Sequence, residues 1–243
     1  MMKALAFFFL ITLSATVLSD LPAGRFFVVW NVGQGLWTTE IDKDCQHFDM
    51  GGEFFPLKKI SKWCAGRKNK IYLSHWDLDH VGGLKRKKTL GGDVCLALKP
   101  VGKTSRRKEN LLLGLPSCES DLDLKILKGS ALSKNSNDRS HTIVNKKFLL
   151  PGDASITTEK TVMIPRLNLS GVEVLILGHH GSKTSTSEDL LKDMPSLRMA
   201  MASARWARYH HPHPLVAAKL KLRGVSLLKT EDWGNIWFEL EGK

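Results

Sequence analysis

A chain of 243 residues, 42% hydrophobic and 25% charged, can bury one sizeable core and is neither disordered nor fibrous in composition. Thirty-six Lys and Arg against 24 Asp and Glu leave a formal charge of +12. That excess suits a polyanionic partner, such as nucleic acid, anionic lipid or a cell-wall polymer, and disfavours a small neutral one.

The first residues read MMKALAFFFLITLSATVLSD. One lysine precedes an apolar run, and Val17 and Ser19 place small side chains before Asp20. This predicts a signal peptide over residues 1–19, cut before Asp20, and a secreted or periplasmic location for residues 20–243. No later apolar stretch reaches membrane length, so no stable span is expected after cleavage. Cys45, Cys64, Cys95 and Cys118 form an even set, which in an exported chain predicts two disulfides with all three pairings open.

RFFVVWNVGQGLWTTEI predicts two strands around a Gly33-Gln34-Gly35 turn, and HFDMGG predicts another strand end. Residues 56–70 predict a helix with a basic face ending near Gly66, and KIYLS a short buried strand. GGLKRKKTLGG reads as a helix start or loop, DVCLAL as a strand, and residues 100–140 as long polar loops. HTIVNKKFLLPGD predicts a strand pair ending on Asp153, and VEVLILGHHGS a buried strand ending on two histidines. A helix over 186–194, a strand at LRMAMAS, a helix at LVAAKLKLRG and strands at VSLLKT and NIWFEL complete the chain. Strands mixed with helices, without a linker or an internal repeat, predict one α/β domain of packed layers.

The stretch LSHWDLDHVGG places His75, Asp77, Asp79 and His80 within six residues. Four titratable groups that close repel or desolvate one another unless something holds them, and a metal does so most economically. If the segment stays extended, His75, Asp77 and Asp79 share a side and His80 turns away, which suits two neighbouring ions. Imidazole with carboxylate fits zinc, manganese or iron rather than calcium. Two further strand ends repeat the pattern: LLPGDAS delivers Asp153, and LILGHHGS delivers His179 and His180.

These stretches resemble the metallo-β-lactamase fold, and more narrowly the hydrolase domain at the C-terminal end of ComEC-type competence proteins. NVGQGLW is similar to that family's DVGQGDA, HFDMGG to IDxGG, and LSHWDLDHVGGL to SHxDxDHxGG. NDRSHTIV resembles NNxSLVL, LLPGDAS resembles LLTGDA, LGHHGSKTSTS resembles PHHGSxxS, and RYHHPHPLV resembles RYGHPHPEV. The resemblance spans about residues 26–240, in order. It implies a single-domain αββα sandwich with two divalent ions, zinc or manganese, at one edge. His75 and Asp77 would hold the first ion, Asp79 and His80 the second together with one of His179 and His180, His179 being the better match, and Asp153 would bridge. The other histidine, His180 on that match, would face the substrate, and Asp49 would buttress the loop, with Asn31, Asn137 and Ser140 in supporting positions. His211 and His213 would lie at the cleft rim as acid or phosphate contact; the alternative is a proline-rich turn capping a helix. Asn31 and Leu36 stand where the family carries aspartate, which bears on the substrate more than on the metals.

Between Lys58 and Lys108 there are fifteen Lys or Arg and three acids, two of them expected ligands. Lys85, Arg86, Lys87 and Lys88 follow the metal motif directly, and Arg106, Arg107 and Lys108 lie in a polar loop. Such a band would track a phosphodiester backbone, or form a solvated lysine-rich face. Trp37, Trp63, Trp76 and Trp206 are candidates for stacking on bases or for the core. The leading expectation is an exported metal-dependent phosphodiesterase acting on DNA or RNA. The alternatives are hydrolysis of a phosphocholine ester on cell-wall polymer or of a β-lactam, and a DNA-binding protein without catalysis.

Overall fold

The computed structural model describes residues 24–241; the expected signal peptide and its cleavage point lie outside them. The described residues form two six-stranded sheets. The chain lays down β1 (Arg25–Val29), β2 (Thr38–Ile41) and β3 (Cys45–Phe48), crosses through α1 (Leu57–Cys64) to β4 (Asn69–Tyr72), and turns into α2 (Leu78–Val81). A 3-10 segment, Gly82–Leu90, leads to β5 (Val94–Leu98) and α3 (Arg106–Glu109). The second sheet holds β6 (Leu124–Leu127), β7 (Thr142–Asn145) and β8 (Phe148–Leu150). Short helices α4 (Ile156–Thr158) and α5 (Ile164–Arg166), joined by a π turn, precede β9 (Val174–Ile176). Then come α6 (Glu188–Lys192), β10 (Met199–Ala202), α7 (Trp206–Tyr209), α8 (Pro214–Leu222), β11 (Ser226–Lys229) and α9 (Thr230–Trp233). β12 (Ile236–Leu240) returns to pair with β1.

The sheet orders are β12-β1-β2-β3-β4-β5 and β11-β10-β9-β8-β7-β6. In chain order each sheet starts with three antiparallel strands, β1–β3 and β6–β8, and continues with parallel ones, with β12 added antiparallel to β1. The fold therefore repeats an architecture although the sequence shows no repeat. Period-2 alternation distributes the strand residues between layers. In β1, Phe27 and Val29 enter the inter-sheet core, while Phe26 and Val28 pack outward beneath α1. Phe27 and Phe148 stack across the sandwich with ring centroids 4.0 Å apart. A third cluster, including Leu190, Leu191, Val216 and Leu220, seats α6 and α8 on the outer face of the second sheet. The expected αββα sandwich is the observed fold.

Several segments differ from expectation, among them the short helices α3, α7 and α9. Residues 100–140, expected as loops, contain β6, a half-buried edge strand whose LKIL lies between Asp- and Lys-rich neighbours that mask its alternation. The helical stretch over 156–166 was not expected. Its buried side chains are few, and Glu159 is buried there by accepting hydrogen bonds from the backbone N–H groups of Thr186 and Ser187. Among the described residues no helix is long and apolar enough to cross a membrane.

The cysteines pair as Cys45–Cys64, tying β3 to α1, and Cys95–Cys118, tying β5 to the following loop. They close loops of 19 and 23 residues. Replacing both Cys45 and Cys64 by serine should lower the unfolding free energy by about 3 kcal/mol. Urea denaturation followed by tryptophan fluorescence checks this, and a change below about 1 kcal/mol would contradict the pairing.

Candidate metal centre

All the histidines and carboxylates singled out by the opening motif gather at one end of the sandwich. β4 stops at Tyr72, and the chain passes through Ser74 and His75, bends at Trp76, and enters α2 with Asp77 as its cap. Asp79 and His80 thus sit on a helical turn, not on a continuing strand. This corrects the expectation of strict alternation: the Asp77 carbonyl already accepts the His80 and Val81 N–H groups.

Asp49 fixes this loop. At the end of β3 it adopts φ 56°, a left-handed conformation that Asp tolerates better than most residues. Its Oδ1 accepts the Ser74 N–H at 2.7 Å, and its Oδ2 accepts the Ser74 hydroxyl at 2.7 Å. Oδ2 also lies 2.7 Å from His80 Nδ1, which orients Nε2 toward the centre. Gly51 lets the loop close: a Cβ there would lie 1.7 Å from the Asp79 carbonyl oxygen. Asp49 thereby ties the end of β3 to both Ser74 and His80.

The donor atoms fall into two groups. His75, His80 and Asp153 converge in one, and Asp79, His80 and His180 in the other, with ligand atoms within 4.8 Å of one another in each. His80 Nε2 is 3.1 Å from Asp153 Oδ1, and His75 Nε2 is 3.7 Å from Asp153 Oδ2, so each carboxylate oxygen faces a different imidazole. His75 Nε2 also lies 3.5 Å from Asp77 Oδ2. His180 Nε2 stands 3.1 Å from Asp79 Oδ2 and 3.3 Å from His80 Nε2.

The two adjacent histidines, between which the sequence left the choice open, lie in different surroundings. His180 is buried and joins Asp79 and His80. His179 is the more exposed ring, with Nε2 3.7 Å from Asp153 Oδ2. Both residues have left-handed backbone, φ 48° and 56°, so the turn reverses which ring points inward. Asn137 Nδ2 and Thr184 Oγ1 lie 3.4 and 3.2 Å from His179 Nδ1. Ser140 Oγ accepts the Asp153 N–H at 3.0 Å. Asn31 stays away from the donor groups; its Oδ1 shapes the glycine turn by accepting the Gly33 N–H at 3.3 Å.

Electrostatics and orphaned atoms test whether these residues fit metal ions. Burial disfavours charge on Asp153, yet His80, His180 and His75 hold its carboxyl well below the usual range. Burial likewise opposes a charged His80, but Asp153 and Asp49 raise its imidazole well above the ordinary value. Asp77 is lowered to about 2, first by its bond to His75 and then by Lys108 and Ser136 against burial. His75 Nε2 and Asp153 Oδ1 are buried without a hydrogen-bond partner of good geometry. Two unsatisfied atoms aimed at one space would be costly in a purely structural cluster. The donor set fits divalent ions, with His75, Asp77, Asp79, His80, Asp153, His180 and His179 around them.

At the rim, the His211 ring lies 6.1 Å from that of His179 and its Nδ1 faces Gln34. Burial first, then His180 and His179, push the His211 imidazole down to about 4. His213 instead caps α8: its Nδ1 accepts the Leu215 N–H at 3.2 Å, the alternative weighed for this turn. Lys85, Arg86, Lys88, Arg106 and Arg107 are exposed, whereas Lys87 is half-buried and donates to the Leu111 carbonyl. Lys108 Nζ reaches within 3.4 Å of Asp77 Oδ1. Trp37 and Trp76 are buried and Trp63 packs against the core, so of the four tryptophans only Trp206 is exposed. Sequence reasoning missed Ser74, which adjoins His75, and Ser136, whose hydroxyl donates to Asp77 Oδ2 at 3.2 Å from a loop without any pattern. It also gave Gln34 no role.

No family model matches the chain. Among curated proteins it is 26% identical to ComE operon protein 3 of Bacillus subtilis over 91% of its length. It is 27% identical to competence protein ComA of Neisseria gonorrhoeae over 87%. It spans about a third of those relatives, 31% and 32%. Among solved structures it superposes on Zn(2+)-bound PqqB from Methylobacterium extorquens with a TM-score of 0.54 at 9% identity, covering 89% of this chain and all of that one. A diphosphatase from the PhnP family gives 0.51 at 12%, covering 89% and 98%. The chain is thus a metallo-β-lactamase-fold relative of the ComEC-type competence proteins.

Two outcomes follow for metal binding. Asp49→Ala should weaken zinc affinity roughly 10–100-fold while leaving the ligands in place; isothermal titration checks this. Asp153 and Asp49 raise the His80 imidazole above its ordinary value, so a proton competes with the metal for this ring. Binding should therefore release protons at pH 7 and weaken as pH falls. Titrations in buffers of different ionisation enthalpy that show no proton release would contradict this.

Proposed function

We propose that this metallo-β-lactamase-fold relative of the ComEC-type competence proteins is an exported, metal-dependent phosphodiesterase that hydrolyses nucleic acid. The observation that carries the reading is the contact between Lys108 and Asp77: the basic flank runs up to the donor groups themselves. Exposed Lys85, Arg86, Lys88, Arg106 and Arg107 continue that flank, which suits a phosphate backbone laid across the site. A small neutral ester would gain nothing from it. Two disulfides, together with the signal-like N-terminus, support an oxidising compartment.

Divalent ions at such a site supply Lewis acidity toward phosphoryl oxygens and a nucleophile from water near neutral pH. His75, Asp77, Asp79, His80, Asp153 and His180 would hold them. Carboxylate-rich ligation favours manganese alongside zinc. Ser74 and Asp49 keep the His80 ring directed inward. Lys108 and the exposed basic residues neutralise the flanking phosphates. His211, neutral at pH 7, serves as a hydrogen-bond donor to a phosphoryl oxygen rather than as a proton source. The cysteines have no part in the chemistry.

Residues 20–243 should cut fluorescent single-stranded DNA with manganese or zinc but not with chelator, and Asp79→Ala/His80→Ala should abolish cutting. Replacing Arg106, Arg107 and Lys108 by alanine should weaken binding at low salt and reduce the salt-dependence slope by roughly one per lost phosphate contact. Metal-loaded protein that leaves nucleic acid intact and cleaves a phosphocholine ester would overturn the nuclease reading.

A further inference from the structure

The Gly33-Gln34-Gly35 turn does not contribute a metal ligand, yet its central side chain is 6% exposed and wholly committed. Gln34 Oε1 accepts the Arg205 N–H at 3.2 Å, which fixes the amide and leaves Nε2 facing His211 Nδ1 at 3.3 Å. An amide nitrogen only donates, so His211 Nδ1 must accept. In the neutral ring the proton then sits on Nε2, the nitrogen turned away from Gln34.

The turn itself is anchored on both sides. The Gln34 backbone N–H donates to Glu53 Oε2 at 3.1 Å, and Glu53 also receives Arg205 and Arg208, each at 3.0 Å. The Leu36 N–H donates to the Asp79 carbonyl at 2.9 Å, linking the turn directly to the loop of donor groups. Gly35 makes this approach feasible: a Cβ there would come within 2.4 Å of Gly52 Cα and 2.8 Å of the Asp79 carbonyl oxygen. A buried side chain whose oxygen is committed to Arg205 and whose donor is aimed at a histidine is more than a turn filler.

We propose that Gln34 is a positioning residue that sets the tautomer of His211, holding Nε2–H as the donor presented to a phosphoryl oxygen of the substrate. The donor role rests on the phosphodiesterase reading; the tautomer does not. A residue in this role acts on the reaction only through His211.

The test uses zinc-loaded residues 20–243 carrying 15N-histidine. Long-range 1H–15N spectra, with the His211 signal identified by its loss in His211→Gln, report which ring nitrogen carries the proton. The wild type should show Nε2–H. Gln34→Glu keeps the shape but replaces the donor by an acceptor, so it should place a proton on Nδ1. Kinetics on single-stranded DNA then close a double-mutant cycle. Gln34→Leu should lower kcat roughly 10²-fold, the scale of losing one oriented donor, with KM changed less than twofold. It should have no further effect in a His211→Ala background. Nδ1–H in the wild type, an unchanged His211 signal in Gln34→Glu, or losses that simply add would each overturn the inference. If no nucleic acid is cut by any form, the phosphodiesterase reading fails while the spectra still decide the tautomer.

Discussion

A carboxylate buried away from water is stable only where positive or polar groups face it on every side. Asp153 is in that position at 3% exposure, delivered by the end of β8 in the second sheet. Its partners His75 and His80 come from the first sheet, beyond β4, and His179 comes from the next strand of its own sheet. Neither sheet can satisfy its titratable groups alone. The separation and register of the sandwich are therefore set by an electrostatic requirement at its mouth as much as by the aromatic packing behind it.

Around that requirement the chain spends its constrained residues. Left-handed backbone occurs at Asp49, His179 and His180, three positions that each place a polar side chain at the centre. The loop carrying Asp79 is clasped from two directions, by Met50 and by Leu36, through backbone hydrogen bonds. Rigid supports of this kind keep ligands in place before an ion arrives. The glycine pairs that punctuate the sequence near the ligands mark where these backbones touch.

Much of this was legible in the sequence. The ligand-bearing stretches are short, polar and set at the ends of apolar runs, so residue type and spacing disclosed them together. The layered fold followed from strands alternating with helices. Less legible were features decided by three-dimensional direction. The order of His179 and His180 depends on two positive φ angles that no pattern signals. His213 carries the same side chain as His211 but is turned into a helix cap by its place before Pro214. Trp76, between two ligands, proved to be buried because the loop folds it inward. Edge strand β6 was hidden because an edge needs little apolar alternation.

The far end of the sandwich has its own polar contact. Glu40 on β2 is 2% exposed and reaches across to the other sheet, where Asn145 Nδ2 donates to it at 2.6 Å and Lys146 pairs with it. The sheets are thus pinned at both ends, with imidazoles and carboxylates at one and a buried glutamate at the other. Loss of the contacts at the first end would leave those at the second in place. Amide protons near β4 and β8 on the ligand side would then exchange faster, while those beside Glu40 keep their protection. The two ends of the sandwich are thus held by contacts of different chemistry.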